Sequence, residues 1–219
     1  MEQTAPAFLA RIDEDWARLI AQVGPYAPNF KPAHAPYEAL IRAITHQQLQ
    51  TRVANLILGR FIACFPAGAF PDPQAILATP SEVLRACGLS HAKIAAIYGV
   101  AEAACTGQVP DRATALGESD AALIERLIAL RGIGRWTVEM FLMENLQRPD
   151  VLPVDDFGVR QGYRRLKGLD KAPTPALLRG IGFGLAPGRR WAIFWGGWGW
   201  PGQPYRSAAA WYLWRVPKA

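Results

Sequence analysis

Apolar residues recur at intervals of three and four along almost the whole chain, the spacing of one face of a helix. PAFLARIDEDWARLIAQV near the start carries this spacing, as do YEALIRAI, VANLILGRFIACF, AKIAAIYGVAEAAC and AALIERLIAL. Polar residues mark where the helices start and stop. Thr79-Pro80-Ser81-Glu82 offers a cap, a first-turn proline and a capping-box glutamate. Ser90 and Thr174-Pro175 mark two more starts, and Gly88 and Gly107 sit where helices end. No alternation of period two appears, and no long repeat. The pattern predicts an all-α fold with short connections. Two stretches break it. PAGAFPDPQ, near 66–74, reads as a loop. GIGFGLAPGRRWAIFWGGWGWPGQP, residues 180–204, is rich in Gly and Trp and has no clear period.

The 219 residues, 51% of them apolar, suit one or two domains with a real core. No apolar run reaches the ~18 residues of a membrane span. The opening MEQTAPAFLARIDEDW lacks the basic-then-apolar order of a secretion signal. Cys64, Cys87 and Cys105 are odd in number and widely spaced, which fits neither a disulfide framework nor a metal knuckle. A reducing cytoplasm is the expected setting. The net charge of +6 is one-sided: residues 1–110 carry eight basic and eight acidic side chains, residues 111–219 sixteen and ten. After Asp156 there are eleven Lys or Arg and a single acid, Asp170. Such a region suits a polyanionic partner, most often nucleic acid, and equally a solvated basic surface.

Two short stretches carry candidate chemistry. In Leu130-Arg131-Gly132-Ile133-Gly134-Arg135 two glycines sit two apart between helical segments. Each costs a helix ~1 kcal/mol against Ala, so they mark a tight turn. A helix then begins at Arg135-Trp136-Thr137. Its first amides have no partner behind them, and with the helix dipole they favour an anion such as a phosphate. Arg135 and Thr137 offer further donors. A plain helical hairpin explains the same glycines. The second stretch is Asp155-Asp156, ahead of the basic amphipathic FGVRQGYRRLKG. Asp is a common helix cap. Two adjacent carboxylates kept in a basic region also suit electrostatic catalysis. Such a group stabilises the positive charge of an oxocarbenium-like sugar and orients a water.

LRGIGRWT, LPVDDFGVR and PYRSAAAWYLWR, in that order, resemble the helix-hairpin-helix DNA glycosylases, and within them the 3-methyladenine DNA glycosylase II (AlkA-type) branch. ALIRAITHQQLQTRVANLILGRF and LRACGLSHAKIAAIYGVA are similar to family segments as well. The resemblance implies an all-α module of two lobes with a cleft holding Asp156. One lobe would be 36–139, with the hairpin; the other would join 1–35 to 140–219. It implies a compact form without the larger relatives' N-terminal β-domain. The activity implied is hydrolysis of the N-glycosidic bond of alkylated bases, of the 3-methyladenine and 7-methylguanine type, in double-stranded DNA. Asp156 would be the catalytic carboxylate, and Asp155 a cap or support.

The hairpin residues Gly132, Ile133, Gly134, Arg135 and Thr137 would bind DNA, with Arg206 and Ser207 at the last helix. Ser207 would act as a cap or phosphate donor. Gln48, in Thr45-His46-Gln47-Gln48-Leu49, would fill the gap left by a flipped base; plain helix surface is the rival reading. Trp136 and Trp214 would form an aromatic base pocket, suited to cationic bases, with Met140 one turn after Trp136 where an aromatic is expected. Trp136 stands where strand-cleaving members carry a lysine, so covalent catalysis is expected to be absent. No cofactor is required. The main-chain carbonyls of Ile128, Leu130 and Ile133 are a place for Na⁺ or K⁺. The resemblance further implies a monomer working on DNA in the cytoplasm. A non-enzymatic helix-hairpin-helix module, a glycosylase for oxidised or mismatched bases, and a helical scaffold are the alternatives.

Overall fold

The computed structural model describes residues 4–29, 34–66, 69–181 and 205–217. Among these, every regular element is helical. The Gly- and Trp-rich stretch lies almost wholly outside the described residues. The chain divides into two compact units, Phe30–Gln147 and Met1–Asn29 with Arg148–Ala219. Their boundaries, 29/30 and 147/148, fall six and eight residues from the expected 35/36 and 139/140. The second differs because the helix opening at Arg135 runs beyond Met140 into a π-helical turn, Phe141–Asn145.

The unit Phe30–Gln147 holds α3 (Pro36–His46), α4 (Thr51–Ala63), α5 (Pro73–Ala78), α6 (Ser81–Ala86), α7 (His91–Cys105), α8 (Arg112–Gly117), α9 (Asp120–Ile128) and α10 (Arg135–Met140). Helix α7 is its centre, packed by α3 and α5. Ile94, Ile97, Val100 and Ala101 of α7 are buried with Leu40, Ile41 and Ile44 of α3 and Ile76 of α5. Full burial of each large aliphatic contributes about 1.5–3 kcal/mol. Ser90 caps α7 by accepting the Lys93 amide, and Gly88 and Gly107 end helices with φ of 100° and 78°. The device expected at Thr79 does not form. Helix α6 starts one residue later with Pro80 at its N-cap, Glu82 accepts the Ser81 hydroxyl, and Thr79 turns back to the Ala75 carbonyl.

The other unit holds α1 (Ala5–Leu9), α2 (Glu14–Val23), α11 (Phe157–Leu166), α12 (Pro175–Ile181) and α13 (Arg206–Leu213). The first apolar run is two helices rather than one. Asp13 has extended backbone and its side chain accepts the Trp16 amide, which restarts the helix. A local side-chain bond of this kind outcompetes helix continuation. Lys167 pairs with Asp13 and Asp15, tying α2 to the end of α11. Trp16, Leu19, Val159, Tyr163, Tyr212 and Leu213 form the core. Thr174 caps α12 by accepting the Leu177 amide at 3.1 Å.

Candidate active site

In the hairpin the two glycines serve different ends. Gly132 has φ +81°, and a Cβ there would stand 2.6 Å from the Cβ of Ala96 on α7. Both conformation and close approach exclude a side chain. Gly134 has ordinary extended backbone at the N-cap of α10, and a Cβ there would meet nothing within 4 Å. Packing within the described chain does not require glycine at 134; an approaching ligand would. The Ile133 amide is not available to such a ligand, because it donates to the Leu130 carbonyl at 3.1 Å. Ile133 itself is buried. The hairpin donors that remain are at the open end of α10, the amides of Gly134 and Arg135. Thr137 is 2% exposed and its hydroxyl accepts the Gln47 side-chain amide at 3.0 Å, so it supports the turn from inside. Arg135 is half exposed and its Nε donates to Glu139 at 2.9 Å. Trp136 is half-buried, and Met140, one turn on, is buried.

Helix α3 ends at His46, so Gln47 and Gln48 are not helix surface. Gln48 is exposed with φ +56°, a left-handed conformation uncommon outside glycine. Lys93, on α7, donates its ammonium to the carbonyls of Thr45 at 2.8 Å and Gln47 at 3.0 Å. Burial pushes this ammonium below the usual lysine range. The Gln47 side chain crosses to the hairpin and donates to the Gly132 carbonyl at 3.2 Å as well as to Thr137. Sequence reasoning missed Lys93 and Gln47. Their partners lie 46 to 90 residues away, and no local pattern signals them.

In the other unit, Asp156 is the N-cap of α11, and its Oδ1 accepts the Val159 amide at 2.7 Å. The same oxygen accepts the indole Nε1–H of Trp214 at 2.8 Å. Capping falls to Asp156, not to Asp155 as expected; Asp155 is exposed. Two glycines of α11, one turn apart, make the arrangement fit. A Cβ on Gly158 would stand 2.7 Å from Cδ1 of Trp214 and 3.0 Å from Asp156 Oδ1. A Cβ on Gly162 would stand 2.1 Å from the Leu213 carbonyl oxygen. The bare face of α11 thus lets α13 lie close, and the indole that follows α13 reaches the carboxylate.

At the start of α13, the N-cap is Tyr205 with no side-chain cap bond, so Ser207 does not cap it. Ser207 is 4% exposed, donates to the Arg148 carbonyl at 2.6 Å and accepts the Val151 amide at 3.0 Å. Its hydroxyl is spent on the fold and does not face a phosphate. Arg206 grips both oxygens of Asp150, at 2.7 and 2.8 Å, a bidentate pair that fixes the guanidinium. The pair anchors the start of α13 to Asp150.

Both the glycine turn and the aspartate bonded to an indole lie within a recognised family domain. Residues 41–181 match the HhH-GPD superfamily of base excision DNA repair proteins, and the chain belongs to that family. It is 41% identical to DNA-3-methyladenine glycosylase 1 of Schizosaccharomyces pombe, over 98% of this chain and 87% of that protein. A solved structure of the S. pombe 3-methyladenine DNA glycosylase in complex with abasic DNA superposes with a TM-score of 0.83, at 41% identity. The match covers 96% of this chain and 95% of that one. DNA-3-methyladenine glycosylase 2 of Escherichia coli is 32% identical over 81% of this chain and 56% of its own length. Among the described residues no helix is long and apolar enough to cross a membrane.

Proposed function

We propose that this chain is a monofunctional, monomeric DNA glycosylase. It hydrolyses the N-glycosidic bond of alkylated bases, of the 3-methyladenine and 7-methylguanine type, in double-stranded DNA, and leaves an abasic site. The observation that carries the reading is the pairing of the Asp156 carboxylate with Trp214 through one oxygen. Two N–H donors on Oδ1 fix the carboxylate's orientation before substrate arrives, and prior orientation is what makes electrostatic stabilisation effective. As the bond to the base lengthens, positive charge develops on the deoxyribose; the carboxylate faces that charge and orients the attacking water. An alkylated purine leaves as a neutral base from a cationic one, so no proton donor is needed. Trp136 in one unit and Trp214 in the other each carry an indole, the kind of face that attracts such a cation. With Trp136 in place of an amine, the chain has no Schiff-base nucleophile at that position.

The amides of Gly134 and Arg135 bind a backbone phosphate, which positions the protein without reading sequence. Gln48 fills the space the flipped base vacates. The carbonyls of Ile128, Leu130 and Ile133 suit Na⁺ or K⁺, since carbonyl oxygens bind such ions. Leu130's oxygen already takes the Ile133 amide but keeps a second lone pair. When bound, the ion would add positive charge at the turn.

Incubation with methylated DNA tests the reading directly. Free 3-methyladenine and 7-methylguanine are expected in the supernatant, with the strand uncut until alkali is added. Release of oxidised bases only, or immediate strand scission, would refute it. Gly134→Ala isolates the hairpin. Stability should change by less than about 1 kcal/mol, because the methyl group enters open space. Affinity for undamaged duplex should fall about tenfold, because the added methyl group holds the phosphate off the amides and weakens their charge-assisted bonds. Thermal melts and fluorescence anisotropy check the two halves.

A further inference from the structure

The connection from α3 to α4 is four residues long, 47–50, and Gln48 within it is both exposed and left-handed. A non-glycine residue stays in that conformation only when its surroundings dictate it. They do so from one side. The carbonyl of the preceding residue, Gln47, is held by the Lys93 ammonium at 3.0 Å. The Gln47 side chain is held by the hairpin through the Gly132 carbonyl and the Thr137 hydroxyl. Those two hairpin residues bracket Gly134 and Arg135, whose amides the proposed function assigns to a backbone phosphate. One residue therefore touches the phosphate-binding turn with its side chain and sets the start of the exposed loop with its backbone.

We propose that Gln47 is a positioning residue that couples the hairpin to Gln48, with Lys93 as its brace, so that seating the turn on a phosphate and inserting Gln48 into the duplex are one event. The proposal rests on the reading of Gln48 as the residue that fills the gap. A merely supporting Gln47 would, when removed, weaken DNA binding and base release in proportion. A coupling Gln47 separates them. The initial grip on phosphate survives, and the step that opens the base stack is lost.

The test uses the whole chain and two duplexes, one undamaged and one with a tetrahydrofuran abasic analogue beside 2-aminopurine, whose fluorescence rises on unstacking. Single-turnover release of 7-methylguanine is followed in parallel. For Gln47→Ala, affinity for undamaged duplex should stay within about twofold, while the 2-aminopurine rise is lost and release slows about tenfold, the size expected for coupling between neighbours. Gln48→Ala should show the same pattern. Lys93→Met should follow Gln47→Ala, and Lys93→Arg should restore the rise, because a guanidinium can also donate to two carbonyls. Gln47→Ala keeps the Lys93 bonds to the Thr45 and Gln47 carbonyls, and a thermal melt close to that of the parent shows that the variant is folded. A wild-type fluorescence rise in Gln47→Ala alongside a lost one in Gln48→Ala overturns the coupling alone. An equal loss of affinity and release in Gln47→Ala also overturns it. A wild-type rise in Gln48→Ala overturns the gap-filling reading, and the coupling with it.

Discussion

Asp156→Asn is expected to remove base release almost completely while leaving DNA affinity and thermal stability close to those of the parent. The geometry makes this substitution unusually clean. Asparagine is as good a helix cap as aspartate, so its side-chain oxygen can still accept the Val159 amide and the Trp214 indole that Asp156 accepts now. What disappears is the negative charge. Removal of one preoriented electrostatic contact of this kind costs about 10²–10³ in rate. Single-turnover release from methylated DNA should show that drop, and anisotropy on an uncleavable abasic analogue should show none. Asp155→Asn serves as the control; its parent side chain is exposed, and its rate should be unaffected. A non-enzymatic helix-hairpin-helix module predicts the opposite, no base release from either protein. If Asp156→Asn releases bases at the parental rate, the electrostatic role assigned to this carboxylate is wrong.

Gly162→Ala should be strongly destabilising. The added methyl carbon would lie 2.1 Å from the Leu213 carbonyl oxygen and 2.7 Å from its carbon. Those are backbone atoms inside a helix pair, so no rotamer change relieves the clash. Helices α11 and α13 must separate, and Tyr163, Tyr212 and Leu213, all buried there, lose packing. Overpacking of this kind costs about 1–3 kcal/mol and sometimes more. Here the upper end is expected, which for a chain of this size lowers Tm by about 6–12 °C. The catalytic consequence is separate. Where the protein stays folded, Trp214 moves off the Asp156 oxygen, and base release should fall even at temperatures well below the new Tm. Calorimetry and single-turnover release at 15 °C distinguish the two effects. An unchanged Tm would mean that the helices are not packed as described.

Much of this organisation is legible in the amino-acid order, because its causes are local. The three-and-four spacing marks α3, α7 and α9, and Ser90 and Thr174 cap the helices they precede. Gly132 announces a turn that only glycine tolerates. What stays hidden depends on partners far along the chain. Gly158 and Gly162 look like weak points in an amphipathic helix until α13 is seen lying against them. Arg206 looks like a phosphate ligand until Asp150 is seen in its fork. Ser207 carries the composition of a cap but sits inside a helix with its hydroxyl turned to buried backbone. Gln47 offers no signal at all, since its side-chain partners follow 85 and 90 residues later. Asp13 is the local exception: it interrupts the helix, although the apolar spacing continues on both sides of it.

The bond between Trp214 and Asp156 spans 58 residues, and that separation has a consequence for biosynthesis. The hairpin, the Gln48 loop and the acidic doublet all leave the ribosome before the indole does. A nascent chain can fold its Phe30–Gln147 unit and begin α11, where the Val159 amide already meets Asp156, yet its carboxylate still lacks the second donor, the Trp214 indole. If Asp156 acts as proposed, a nascent polypeptide that stops short of Trp214 would be a poor depurinating agent even where it adheres to DNA.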